Sequence, residues 1–198
     1  MPKKDYEIGD EIRAWSTYVP EEAAERVKET LNSKWINTGL REKELREKAC
    51  KKWEFPYCVA VNNGTSALRA SLAMLGVGPG DEVVSTPYTF IATNTAILEQ
   101  GAKPVFADIR YDDLNIDPKS IEAKITDKTK AISIVHYGGN PCDLDEIRAI
   151  AKKHGLPLIE DSAHALGSKY KGRYIGASGD VVCFSLQVVK IITCGDRY

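Results

Sequence analysis

The sequence predicts an α/β fold, a mainly parallel sheet covered by helices, on three observations. Short apolar runs of strand length alternate with longer helical stretches along nearly the whole chain, the order expected of strands joined by helical crossovers. Several of these runs, such as Ile132-Ser133-Ile134-Val135 and Val181-Val182-Cys183-Phe184-Ser185-Leu186, are almost continuously apolar, as strands covered on both faces are. The composition, 43% hydrophobic and 28% charged over 198 residues, is that of one globular domain able to bury a sizeable core.

Each element has a local reason. Pro20 before Glu21 and Glu22 opens a helix through Leu31, since proline suits the first helical position and acidic residues the first turn. Asn37-Thr38-Gly39 breaks the chain, and a charged helix over 40–53 leads to a strand over 57–61. A helix after Gly64 runs to Leu75, where Gly76-Val77-Gly78-Pro79-Gly80 makes a turn into a strand over 82–85. Next come a helix over 92–100, a strand over 104–107, a helix over 118–125, a strand over 131–135, a helix over 144–154 and a strand over 156–160. Tyr170-Lys171-Gly172-Arg173-Tyr174 reads as a small hairpin with a lysine-glycine tip, and a strand over 181–186 completes the sheet. Residues 1–33 are expected to form an N-terminal arm and helix, and 34–198 one large domain.

Charge and cysteine usage narrow the function classes. A net charge of -1, with basic and acidic residues interspersed, supplies no positive field for nucleic acid or an anionic membrane, so a small-molecule ligand is expected. The five cysteines are odd in number and include no CxxC pair, which suits reduced core thiols and no metal site. Met1 to Glu7 lacks an apolar signal core and no run approaches the ~18 apolar residues of a membrane helix, so a cytoplasmic protein is expected.

Three places carry chemistry. Lys190 follows the apolar run 181–186 and is a candidate imine-forming amine, although an exposed solubilising lysine reads the same way in isolation. Asp161 ends the run Leu156-Pro157-Leu158-Ile159-Glu160, where open α/β sheets place ligands; a helix cap is the competing reading. Glu160 should point the opposite way on the pleat and is not assigned to catalysis. Asn62-Asn63-Gly64-Thr65-Ser66 turns from a strand into an Ala- and Leu-rich helix, presenting free N–H groups to an anion or merely capping the helix. An amine, a carboxylate and an anion cradle together suit pyridoxal 5'-phosphate (PLP). His154 sits in the lysine-rich end of a helix, where it favours the C-terminal dipole.

The succession Asn63-Gly64-Thr65-Ser66-Ala67-Leu68, Gly76-Val77-Gly78-Pro79-Gly80-Asp81-Glu82-Val83, Thr89-Phe90, Gly101-Ala102-Lys103-Pro104-Val105-Phe106, Ile159-Glu160-Asp161-Ser162-Ala163-His164-Ala165 and Phe184-Ser185 before Lys190 closely resembles the DegT/DnrJ/EryC1/StrS aminotransferases. The resemblance runs from about Trp35 to Thr193. It implies the type I aspartate aminotransferase-like large domain, PLP as cofactor, a homodimer, and transfer of an amino group from glutamate or glutamine to a keto-sugar nucleotide. It further implies that Lys190 carries the cofactor as an imine, that Asp161 pairs with the pyridine nitrogen, and that Gly64, Thr65, Ser66 and Ser185 receive the phosphate. Phe90 matches the aromatic that stacks on the ring, with Tyr88 as its rival. His164 matches a residue near the 3'-oxygen, or is simply a satisfied, partly buried histidine. His136 resembles a histidine usual in the family, without an assigned role, and Trp35-Ile36-Asn37-Thr38-Gly39 resembles a loop near the active site.

The C-terminal end departs from the pattern. Ile191 stands where asparagine is usual, and Arg197 and Tyr198 where glycines are expected, so the chain reads as a truncated member lacking the small C-terminal domain. That leaves a non-catalytic remnant, binding PLP or serving as a regulatory module, as the alternative to an active aminotransferase, and uncovered apolar surface as a consequence. A sugar dehydratase on the same fold is disfavoured, because that branch generally replaces the lysine with histidine.

Overall fold

The computed structural model describes residues 19–178 and 180–194. The first eighteen residues of the expected N-terminal arm, and the end that includes Arg197 and Tyr198, lie outside the described residues. Helices α1 (Glu22–Asn32), α2 (Leu40–Trp53) and α3 (Gly64–Met74) precede the first strand, β1 (Glu82–Ser85). They are followed by α4 (Ala92–Glu99), β2 (Lys103–Phe106), α5 (Pro118–Lys124), β3 (Thr129–Val135), α6 (Leu144–His154), β4 (Leu158–Asp161), the hairpin β5 (Lys169–Tyr170) and β6 (Arg173–Tyr174), and β7 (Val181–Cys183).

The main sheet has the order β2-β1-β3-β4-β7, and every neighbouring pair is parallel. Alternation along the strands sorts the core into two layers. Val84, Ile132, Ile134 and Leu158 pack with Ile121 of α5 and with Leu144, Ile147 and Ile150 of α6. Their neighbours in sequence, Val83, Ala131 and Ile159, together with Cys183 of β7, face Leu68 and Leu72 of α3 and Ala96 and Ile97 of α4. The period of two in each strand thus meets an apolar helical stripe on both sides, the arrangement predicted from the sequence. A smaller cluster of Ala49, Phe55 and Leu166 seats α2 against the sheet edge, with Phe55 stacked on Phe184 at 5.1 Å.

One predicted strand is corrected. Residues 57–61 form no strand among the described residues. The run Cys58-Val59-Ala60-Val61 has strand-like composition, but a strand exists only through a bonded neighbour. The described sheet ends at β7, and Tyr57 and Val59 are 89% and 82% exposed. The strand predicted over 181–186 is likewise shorter, because the chain leaves the sheet after Cys183 and folds into a turn where the Lys190 N–H donates to the Gln187 carbonyl. The lysine-glycine hairpin forms as expected, with Lys171 and Gly172 both at positive φ, 47° and 84°, as a two-residue turn on a twisted hairpin requires. His154 closes α6 with its ring 3.6 Å from Glu122 of α5. No helix among the described residues is long and apolar enough to cross a membrane.

Candidate active site

The chain runs from β1 to β2 on one side and returns to β3 on the other, so the sheet has a topological switch point flanking β1. Ligands bind outside the carboxyl ends of strands at such points. The carboxyl ends open here into a cleft of about 890 Å³. Its walls come from Pro87 to Phe90 after β1, Tyr137 after β3, Asp161 to His164 at the end of β4, and Phe184 to Lys190 after β7. The first turn of α3 closes one end.

The N-terminus of α3 is built by Asn63, whose side-chain oxygen accepts the Ser66 N–H at 2.8 Å. That cap uses the Ser66 donor and leaves the N–H groups of Gly64 and Thr65 without a partner among the described residues. A Cβ on Gly64 would stand 3.2 Å from the Ser185 Cβ, so glycine lets the helix end approach the turn after β7. Gly64, Thr65 and Ser185 all line the cleft, whereas Ser66 does not.

Asp161, buried at 6% exposure, lies on the α3/α4 side of the sheet. Its Oδ2 accepts the hydroxyl of Thr93 at 2.7 Å and its Oδ1 the N–H of Ala163 at 3.2 Å. Glu160 points the other way: its carboxylate accepts from His136 Nε2 at 2.9 Å and from Arg148 at 3.1 Å, beneath α6. The pleat therefore separates a cleft carboxylate from a structural one, as the sequence suggested.

Lys190 and His164 share the cleft with Asp161. Burial pushes the Lys190 amine below the ordinary lysine range, with Asp161 pulling in the opposite direction. Burial and then the Lys190 charge push His164 down, against Asp161. An amine with a depressed pKa binds fewer protons when folded than when unfolded, so its contribution to stability rises with pH through the window between its folded value and about 10.4. Lys190→Met is therefore expected to stabilise the fold near neutral pH and to lose that advantage above the window. Urea midpoints of wild type and variant compared at about pH 7 and pH 11 check it, and an equal difference at both pH values would contradict it.

Phe90 lines the cleft at 70% exposure, while Tyr88 packs on Tyr137 with ring centroids 4.4 Å apart, and Tyr137 meets the His164 ring edge-on. Both sequence candidates for the stacking aromatic are thus at the cleft. Trp35 to Gly39, expected near the site, is absent from its walls. Sequence reasoning missed Thr93, Tyr137, Arg69 and Gln187. Thr93 had a detectable signal in its spacing, four residues after Thr89 at a helix start; Tyr137 had one in following the carboxyl end of β3.

The parallel sheet, its switch point and a cleft joining lysine, aspartate and a helix N-terminus define the large domain of a type I, aspartate aminotransferase-like fold. Within that class the chain belongs to the DegT/DnrJ/EryC1/StrS aminotransferase family, whose model matches residues 18–197. It is 43% identical over 178 residues to the spore coat polysaccharide biosynthesis protein SpsC of Bacillus subtilis (strain 168), covering 90% of this chain and 46% of SpsC. The structure of AtS13 from Actinomadura melliaura superposes with a TM-score of 0.89 at 36% identity, covering 92% of this chain and 51% of that one. Spr1654 from Streptococcus pneumoniae, solved in PLP, PMP and apo forms, gives 0.85 at 36% identity over 92% of this chain and 50% of its own. The chain spans about half the length of these relatives.

Proposed function

We propose that this chain forms the PLP-binding part of an aminotransferase that moves an amino group from glutamate or glutamine to a keto-sugar nucleotide, in the cytoplasm and as a homodimer. The observation that carries the reading is the convergence of Lys190, Asp161 and the uncapped N–H groups of α3 on one cleft. The donor set fits the cofactor. The N–H groups of Gly64 and Thr65, with the Ser185 hydroxyl, would hold the phosphate, and Asp161 would face the pyridine nitrogen. His164 would sit by the 3'-oxygen, and Phe90 or Tyr88 against the ring. In this reading helix α1 precedes the cofactor-binding domain, which the described residues from 34 onward form.

When bound, PLP supplies an electron sink for the Cα–H bond of the amino donor. The protein's own part is positioning and proton handling. Partial desolvation favours the neutral Lys190 amine needed to attach the cofactor, and the same Nζ would later take the proton from the donor's carbon. Asp161, supplied with two fixed donors, is prepared to receive a cationic N–H. A sugar substrate is supported by family membership, and polysaccharide biosynthesis by the similarity to SpsC. Phe90 on the cleft wall, and Ile91 and Ile191 next in sequence to the cleft residues Phe90 and Lys190, are exposed apolar side chains that support a dimer.

A second reading is a PLP-binding module without transferase activity. Mixing the purified chain with PLP, then with glutamate and a nucleotide-linked keto-hexose, separates the two. A visible absorption band of lysine-bound PLP followed by an amino sugar product supports the enzyme. The band alone supports the module, and no PLP binding overturns both.

A further inference from the structure

From the hydrogen bonds behind the cleft we infer that Thr93 is a positioning residue for Asp161, and that its hydroxyl, fed by Thr89, holds the carboxylate in the attitude that receives a protonated ring nitrogen. The inference rests on the reading of Asp161 as the partner of the PLP pyridine nitrogen. Thr93 stands at the start of α4 at 1% exposure, with its Oγ1 2.7 Å from Asp161 Oδ2. An ionised carboxylate only accepts, so Thr93 must donate. Its single proton is then committed, and the hydroxyl of Thr89, 2.7 Å away, must donate to Thr93 in turn. The result is a directed chain of two hydroxyls running from the cleft wall, which Thr89 lines, to the back of the carboxylate.

The surroundings make that chain rigid. The Thr93 N–H donates to the Phe90 carbonyl at 3.1 Å, Asn94 donates from its side chain to the Thr86 carbonyl at 2.9 Å, and the Tyr88 N–H donates to the Thr86 hydroxyl at 3.1 Å. The segment between β1 and α4 is thus tied to itself, which fixes the backbone of Thr93 behind Asp161. With Oδ2 held by Thr93 and Oδ1 by the Ala163 N–H, the plane of the carboxylate is fixed from both sides. A remaining lone pair on either oxygen is left for a ligand N–H. A freely rotating carboxylate would instead have to be ordered when the cofactor binds, at a cost in affinity.

Thr93→Val keeps the shape and removes the hydroxyl, and Thr93→Ser keeps the hydroxyl. The probe is PLP labelled with ¹⁵N in its ring, bound to the full chain, with affinity read by titration and ring protonation by the nitrogen chemical shift. Valine is expected to weaken PLP binding about tenfold or more, the usual worth of a hydrogen bond to a charged group, and to move the nitrogen signal toward the unprotonated position. Serine is expected to restore both. Thermal unfolding without PLP checks that each variant is folded. If valine binds as wild type does with an unmoved signal, or serine fails as valine does, the inference is overturned while PLP binding by wild type still stands. A wild-type chain that takes up no PLP overturns the functional reading and this inference with it.

Discussion

Lys190→Ala is expected to lose all covalent retention of PLP. Wild type incubated with PLP, reduced with borohydride and desalted should carry one phosphopyridoxyl group on the peptide containing Lys190, and the variant none. The magnitudes explain why the effect should be complete. The N-terminus of α3 contributes about 0.3–2 kcal/mol to holding a phosphate. The pairing with Asp161, a hydrogen bond between charged groups, adds about 1.5–3 kcal/mol. Together these give roughly 2–5 kcal/mol, and about 4 kcal/mol corresponds to a dissociation constant near 1 mM. On these two contacts alone a ligand is lost on desalting, so the lysine is what makes retention last. A label found undiminished in the variant would place the attachment on another amine and remove Lys190 from the centre of the site.

Much of this was legible in the sequence, because the signals concerned are local. Helix α2 and strand β1 fall on their predicted bounds, since an amphipathic or apolar period with a glycine or proline boundary is written in consecutive residues. Asp161, Gly64 and Lys190 were visible as candidates because strand ends and helix starts are where such chemistry is placed. Residues 57–61 form no strand because a continuous apolar run signals burial only, while pairing depends on a partner elsewhere in the chain. Ser66 belongs to the phosphate cup by resemblance while its N–H serves the Asn63 cap, a double demand that consecutive residues do not display. Thr93 was legible only in part, since its spacing from Thr89 marks a helix start while nothing in consecutive residues points to a carboxylate 68 positions further along the chain.

Glu160→Ala tests the opposite face of β4 and should cost the fold far more than it costs the cleft. Glu160 and His136 are both fully buried. The Cys142 N–H donates to His136 Nδ1 at 3.0 Å, so the ring hydrogen sits on Nε2 and donates to Glu160. Removing the carboxylate strands that N–H in the core and leaves a cavity, and it takes one partner from Arg148. Breaking a buried ionic pair from one side costs about 3–5 kcal/mol. The lower end is expected here, because Arg148 keeps Asp180 at 2.8 Å and Ser178 at 2.6 Å and is partly exposed. About 3 kcal/mol in a domain of this size lowers the thermal midpoint by roughly 6–12 °C. Glu160→Gln retains the volume and an acceptor for His136 and should lose less. PLP affinity of the folded fraction should change little in either variant, since Asp161 is held by Thr93 and the Ala163 N–H on the other side of the strand. A midpoint lowered by less than about 2 °C, equivalent to under 1 kcal/mol, would show that the buried network does not stabilise the carboxyl ends of β3 and β4. A large loss of PLP affinity at unchanged midpoint would instead assign Glu160 to the site rather than to the fold.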